Sequence, residues 1–274
     1  MLCSSANFSI FKGAAVMDLN LEGKRALVCG SSQGIGLASA IELASLGASV
    51  TLVSRSEEKL VKALEQLPGS GHDFLAIDLN DSDAIRELVG PSHKKSPYSI
   101  LVNNSAGPKG GPIEFADPDD FVAAFKQHLL AASIISKIVL PEMKSIGFGR
   151  IINIISTSVK TPLMGLGVSN TIRSAVASWG KTLSLEVAPF GVTVNSVLPG
   201  ATATSRLDSL LESWAQKSGC SVEEEATKRK AAIPAGRFGE PSEVASVVAF
   251  LSSPAAAYVN GVALSVDGGR TACL

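Results

Sequence analysis

Short runs of β-forming residues alternate with longer amphipathic stretches along most of this 274-residue chain. The runs fall at 25–29, 49–53, 73–77, 100–102, 150–155, 192–197 and 262–266. Between them apolar residues recur at helical spacing, as in Leu37, Ile41 and Ala44, or Val176, Trp179, Leu183 and Val187. Such alternation predicts an α/β fold, because neighbouring parallel strands must be joined by crossovers long enough to hold a helix. Seven strands in one continuous series leave no room for a second domain, so a single doubly wound parallel sheet is expected. One interruption stands out. Between residues 201 and 233 a helix-like stretch containing Trp214 follows the sixth strand. Long excursions of this kind are usually lids or binding loops, and Leu207, Leu210, Leu211 and Trp214 give this one an apolar face, for a substrate or for its own packing.

Composition excludes several classes of function. The net charge is −1, and no long run of one sign offers a footprint for nucleic acid. Glu224 and Glu225 precede Lys228 and Arg229 at the i,i+4 spacing of a solvated helix. Charged residues make up 18% of the chain, below the usual level of about 25%, which favours a homo-oligomer, a dimer or tetramer, with part of its surface covered by copies of itself. Cys3, Cys29, Cys220 and Cys273 form no C-x-x-C pair and have no histidine at metal-ligand spacing. No metal site is expected, and a reduced, cytoplasmic setting fits. The apolar stretch at 131–140 is broken by Lys137, well short of the roughly 18 residues of a membrane helix. Residues 1–16 carry one Lys and no Arg and do not read as a signal peptide. They are expected to be a disordered extension ahead of a domain spanning 17–274.

The first strand runs directly into Gly30-Ser31-Ser32-Gln33-Gly34-Ile35-Gly36 and then a helix. Glycines there permit a tight turn, let the backbone approach a pyrophosphate and let the helix pack on the sheet, while the helix start supplies N–H groups and positive dipole. The spacing is G-x-x-x-G-x-G, and with it the chain resembles the short-chain dehydrogenase/reductase family over residues 21–269. Asp78-Leu79 after strand three is similar to the family's adenine-contacting segment. Asn103-Asn104-Ser105-Ala106-Gly107 is similar to its N-N-A-G, with Ala106 where Gly is expected. Pro199-Gly200, followed by Thr202 and Thr204, is similar to the segment that holds the nicotinamide carboxamide, and Val266-Asp267-Gly268-Gly269 resembles the C-terminal strand end. The resemblance implies a Rossmann-type fold, 3-oxoacyl-reductase-like chemistry on a small carbonyl or alcohol, and a cofactor site formed by Gly30, Ser32, Gly34, Ile35, Gly36, Asp78, Leu79, Asn104, Ala106, Gly107, Pro199, Gly200, Thr202 and Thr204. The end of strand two selects the nicotinamide cofactor. A carboxylate there would accept the ribose 2′-hydroxyl, whereas Arg pairs with a 2′-phosphate. The chain offers Ser54 and Arg55, with no acid until Glu57, so NADP, with NADPH preferred over NADH, is expected.

The resemblance fails at the catalytic tetrad. The family uses Asn, Ser, Tyr and Lys. The register of the strand at 150–155 puts Ser156 at the family Ser, Ser169 at the Tyr, Arg173 at the Lys and His128 at the Asn. An aliphatic hydroxyl is a far weaker acid than a phenol of pKa about 10, and Arg stays protonated throughout the physiological pH range. Arg173 lies one turn from Ser169, within reach of the cofactor ribose as the family Lys would be. Two residues stand as replacement acids: Lys160, on the loop leaving the sheet's carboxyl edge, where a nearby oxidised nicotinamide would lower its pKa, and His128, which titrates near neutrality without help. Tyr98 and Tyr258, the two tyrosines of the chain, are both expected to be structural. The expected activity is therefore an NADP(H)-dependent oxidoreductase with altered proton delivery. The alternative is a nucleotide-binding sensor or structural subunit without turnover.

Overall fold

The computed structural model describes residues 17–273, so the expectation of a disordered extension at 1–16 lies outside the described residues. Seven parallel strands form one sheet: β1 (Arg25–Cys29), β2 (Ser49–Ser54), β3 (Asp73–Ala76), β4 (Ile100–Asn103), β5 (Gly149–Ile154), β6 (Val192–Pro199) and β7 (Ala263–Val266). Their order across the sheet is β3-β2-β1-β4-β5-β6-β7, with β1 pairing β2 on one side and β4 on the other. The order therefore reverses between β1 and β4, and the crevice at the carboxyl ends of such a reversal is where ligands of open α/β sheets bind.

Successive residues of a strand face opposite layers. Ala26 and Val28 of β1, Val50 and Leu52 of β2, and Ile152 and Ile154 of β5 join a buried cluster with α1 (Gly34–Ser45) and α9 (Pro241–Ser252). Leu27 and Cys29 of β1, Leu101 of β4 and Ile151 of β5 pack the other way, against α3 (Ser82–Lys95) and α5 (Ala131–Ser145). Both faces are covered, which is why these strands read as largely apolar runs rather than as alternating ones. Helix α2 (Glu57–Leu64) follows β2, and α4 (Pro118–Phe125) leads through a π-helical segment, Lys126–Leu130, into α5. The whole Pro118–Ser145 helix has the length and hydropathy of a membrane span. Its Ala131, Ile135, Val139 and Met143 are buried within the protein instead.

Helix α6 (Gly167–Val187) lies on β6 and β5; a Cβ at Gly180 would come within 2.7 Å of Asn153 Nδ2, so glycine sets that approach. The excursion at 201–233 contains two helices, α7 (Ser205–Ser218) and α8 (Val222–Ala231), where one stretch was expected. Gly219 ends α7 in a left-handed conformation at φ 66°, and Ser221 with Glu224 forms a reciprocal cap that starts α8. Arg229 then closes on the buried Glu225 at 2.7 Å and stacks over Trp214, 3.9 Å from its ring centroid.

Candidate active site

A cleft of about 450 Å³ runs along the carboxyl ends of the strands, from β2 and β3 past the glycine loop to β5, β6 and α7. Its nucleotide end is made mostly of backbone. Gly30 and Gly34 adopt φ of 60° and 58°, conformations that side chains resist. A Cβ at Gly36 would collide with the Gly30 carbonyl, so α1 packs against the loop only because that residue is glycine. Asn104 Nδ2 donates to the carbonyls of Cys29 and Gly30 at 3.3 and 3.2 Å, pinning β4 to the loop. Helix α1 has no side-chain cap and no acid in its first turn. Its leading N–H groups and positive dipole end are therefore left for an anionic group such as a pyrophosphate, and the residues present fit a dinucleotide.

Gly30, Ser32, Gly34, Ile35, Ser54, Arg55, Asp78, Leu79, Asn104, Ala106, Gly107, Pro199, Gly200, Thr202 and Thr204 all line this cleft. Gly36 stands behind it as a packing residue. At the end of β2 the lining side chains are Ser54, Arg55, Ser56 and Lys59, with no carboxylate among them. Asp78 accepts from Asn80 N and Nδ2 at 2.9 and 3.1 Å, within its own turn.

The catalytic end is made of side-chain heads. Ser156 lines the cleft and also accepts from Ser158 N at 3.1 Å, capping the short 3₁₀ turn Thr157–Val159. Ser169, buried on α6, accepts from Arg173 Nε at 3.3 Å. Arg173 Nη1 donates to the carbonyls of Ile154 and Ile155 at 3.1 and 2.8 Å, where β5 ends. Burial, together with the charge of Arg206, pushes the Arg173 guanidinium down to about 10, so it stays a cation at neutral pH. The structure thus brings Ser156, Ser169 and Arg173 together on one wall.

Neither candidate acid joins them. Lys160 follows the 3₁₀ turn and is absent from the lining; the turn that Ser156 caps carries the chain past the cleft before Lys160 is reached. His128 sits in the π-helical segment behind the cleft wall, shares a 2.6 Å hydrogen bond with Ser105 Oγ through Nδ1, and lines a small cavity of about 20 Å³, with room for about one water, that shares Asn104 and Ser105 with the cleft. Burial first, and Arg173 second, push its pKa down to about 3. A ring held neutral in this way is not the near-neutral acid expected of it, and its Nε2 is buried without a partner. Tyr98 is fully buried at the amino edge of the sheet and Tyr258 is fully exposed; neither lines the cleft.

Residues 30–271 match the family model described as enoyl-(acyl carrier protein) reductase. The 3-oxoacyl-[acyl-carrier-protein] reductase FabG of Vibrio cholerae is 34% identical over 254 residues, 92% of this chain and 98% of that protein. Among solved structures, an actinorhodin polyketide ketoreductase with NADPH is 34% identical at TM-score 0.87, covering 91% of this chain and 98% of that one. The L-sorbose reductase of Gluconobacter frateurii, complexed with NADPH and L-sorbose, is 29% identical at TM-score 0.88, covering 94% of this chain and 100% of that one. This chain belongs to the short-chain dehydrogenase/reductase family. As a short-chain dehydrogenase/reductase it also carries cleft residues that no motif marked: Gln33, Lys59, Arg206 and Arg270. Gln33 Nε2 donates to Ser205 Oγ at 2.9 Å, tying the glycine loop to the start of α7 across 172 residues of chain. Contacts of that sequence separation leave no local pattern to read.

Proposed function

We propose that the protein is an NADP(H)-dependent oxidoreductase that interconverts a small-molecule carbonyl and the corresponding alcohol. One observation carries the reading: a single cleft joins an uncapped, glycine-built nucleotide site to the hydroxyls of Ser156 and Ser169 and the guanidinium of Arg173. NADP(H) is supported by Arg55 and Lys59 at the end of β2, with no lining carboxylate to repel a 2′-phosphate, and by the NADPH named with two of the solved relatives. When bound, NADPH supplies the hydride that reaches the carbonyl carbon. Ser156 orients the carbonyl. Arg173 holds the ribose end of the cofactor and stabilises the negative charge that develops on oxygen. The proton that completes the alcohol reaches that oxygen from solvent through the Ser156 and Ser169 hydroxyls. Lys160 and His128 have no part in this scheme, and α7, which lines the cleft with Leu207, Leu210 and Trp214, covers the substrate.

A second reading, a nucleotide-binding sensor or structural subunit without turnover, is favoured by one feature. The catalytic end holds neither a phenol nor a near-neutral titrating group, and Arg173 Nη1 is committed to strand carbonyls. Following NADPH absorbance with a broad carbonyl panel, beside a nucleotide-binding titration, separates the two. Oxidation of NADPH by at least one carbonyl is expected; tight binding with no oxidation across the panel would establish the second reading. Exposed Val262 and Leu264 beside and on the edge strand β7 support association with copies of the chain, as a dimer or tetramer. Among the described residues Cys29, Cys220 and Cys273 form no disulfide, which supports a reducing, cytoplasmic setting.

A further inference from the structure

Two guanidinium groups, those of Arg173 and Arg206, line the catalytic end of the cleft, and among the described residues neither forms an ion pair. Arg206, in the first turn of α7, donates from Nη2 to the Pro108 carbonyl at 2.5 Å. Its head lies against Gly107, where an added Cβ would come within 3.2 Å of Arg206 Nε, so the missing side chain at Gly107 makes the space that Arg206 fills. Arg206 is near enough for its charge to be felt by Arg173. Burial weakens the proton affinity of both. The first turn of a helix is also where a cation is least favoured, because the dipole there is already positive. Asp208 on the same turn is exposed and does not pair with Arg206. Asp78, among the described residues the one carboxylate lining the cleft, stands at its other end beside Ser54, Arg55 and Ile77. Like charges held together, partly desolvated and without a counter-ion, form a site whose electrostatics are completed by an anion.

We propose that Arg206, backed by Arg173, binds an anionic oxygen group of the substrate, so that the carbonyl compounds this protein takes are oxo acids carrying a carboxylate. The proposal rests on the oxidoreductase reading for the ligand's role as substrate; the anion site itself does not. Leu207, Leu210 and Trp214 line the same end and face the remainder of the molecule. A guanidinium presents two parallel N–H donors to a carboxylate, whereas an amide or ester offers no matching charge.

The test uses the full chain loaded with NADP⁺ and titrates hexanoate and hexanamide calorimetrically at low salt. Hexanoate is expected to bind at least about tenfold more tightly, the scale of one charge-assisted hydrogen bond. Arg206→Gln is expected to remove that preference, Arg206→Lys to keep part of it, and NADPH affinity to change less than about threefold in both. Equal binding of the two probes by the wild-type protein would overturn the proposal. So would a loss of NADPH affinity beyond about tenfold in Arg206→Gln, since the guanidinium would then belong to a cofactor phosphate. Turnover assays with 2-oxohexanoate and its methyl ester separate the two levels of inference. Reduction of the ester alone would refute the anion site and leave the reductase reading standing. A hexanoate preference that Arg206→Gln abolishes, with no carbonyl reduced, would uphold the site and refute the reductase.

Discussion

The two ends of one cleft are built on different principles. The nucleotide end is shaped by backbone: positive-φ glycines, an uncapped helix start and a strand-to-loop clamp through Asn104. The catalytic end is shaped by the heads of Ser156, Ser169, Arg173 and Arg206, which reach it from β5, α6 and α7. A backbone-built site tolerates little variation, because any Cβ at Gly36 meets a carbonyl that has nowhere to go. A side-chain-built site can change its chemistry while the fold around it stays the same. Here it presents hydroxyls and guanidinium groups where the family resemblance led one to expect a phenol and an ammonium.

Substitutions that act on one end only should sharpen this contrast. The largest effect is expected for Gly36→Val, which should weaken NADPH binding at least about a hundredfold in a fluorescence titration, by forcing α1 away from the loop; near-normal affinity would show that the loop does not hold the cofactor. Arg55→Ala should follow, raising the Kd for NADPH about thirtyfold, from the loss of about 2 kcal/mol of charge-assisted hydrogen bonding. NADH should be unaffected, and an equal loss for both cofactors would place Arg55 elsewhere than on the 2′-phosphate.

Behind the catalytic end, His128 should reveal itself through stability rather than rate. The native ring takes up its proton near pH 3 and an ordinary histidine near 6.5, so between those values the unfolded chain binds more protons than the native one. Stability from this residue is complete above about pH 6.5 and falls on acidification, by up to about 1.4 kcal/mol per pH unit. Urea unfolding of His128→Asn should show a slope shallower by about one proton; the pKa of His93 is also lowered by burial, so part of the slope remains. An unchanged slope would mean that the buried ring is charged. The smallest effect is expected at Lys160, where Ala should leave turnover within about twofold. A loss of tenfold or more, the low side of general-acid effects, would return Lys160 to the chemistry.

How much of this was legible in the sequence follows the same division. All seven strands were readable to within two residues at either end, since the central strands are buried and rich in apolar β-branched residues, while the more exposed β3 and β7 are short runs between turn residues. Every nucleotide-end residue that the family resemblance implied lines the cleft except Gly36, whose role is to let the helix approach. The break at Gly219 and the Ser221–Glu224 cap between α7 and α8 had a local signature that the apolar pattern alone obscured. Lys160 sits on the loop where it was expected, but a 3₁₀ turn of three residues decides which side chains reach the cleft. Arg206 had no local signature at all. Its partner carbonyl is 98 residues away, and two like charges brought together by folding are invisible to any window along the chain.

The most direct test of a family nucleotide site joined to a guanidinium-and-hydroxyl catalytic end is a crystal structure of the protein with NADP⁺ bound. The account predicts Ser156 Oγ and an Arg173 nitrogen within about 3.2 Å of the nicotinamide ribose or of a carbonyl placed beside it, with Lys160 and His128 outside hydrogen-bond reach. A nicotinamide contacted by Lys160 Nζ or by a His128 ring nitrogen, with Arg173 turned away, would contradict it.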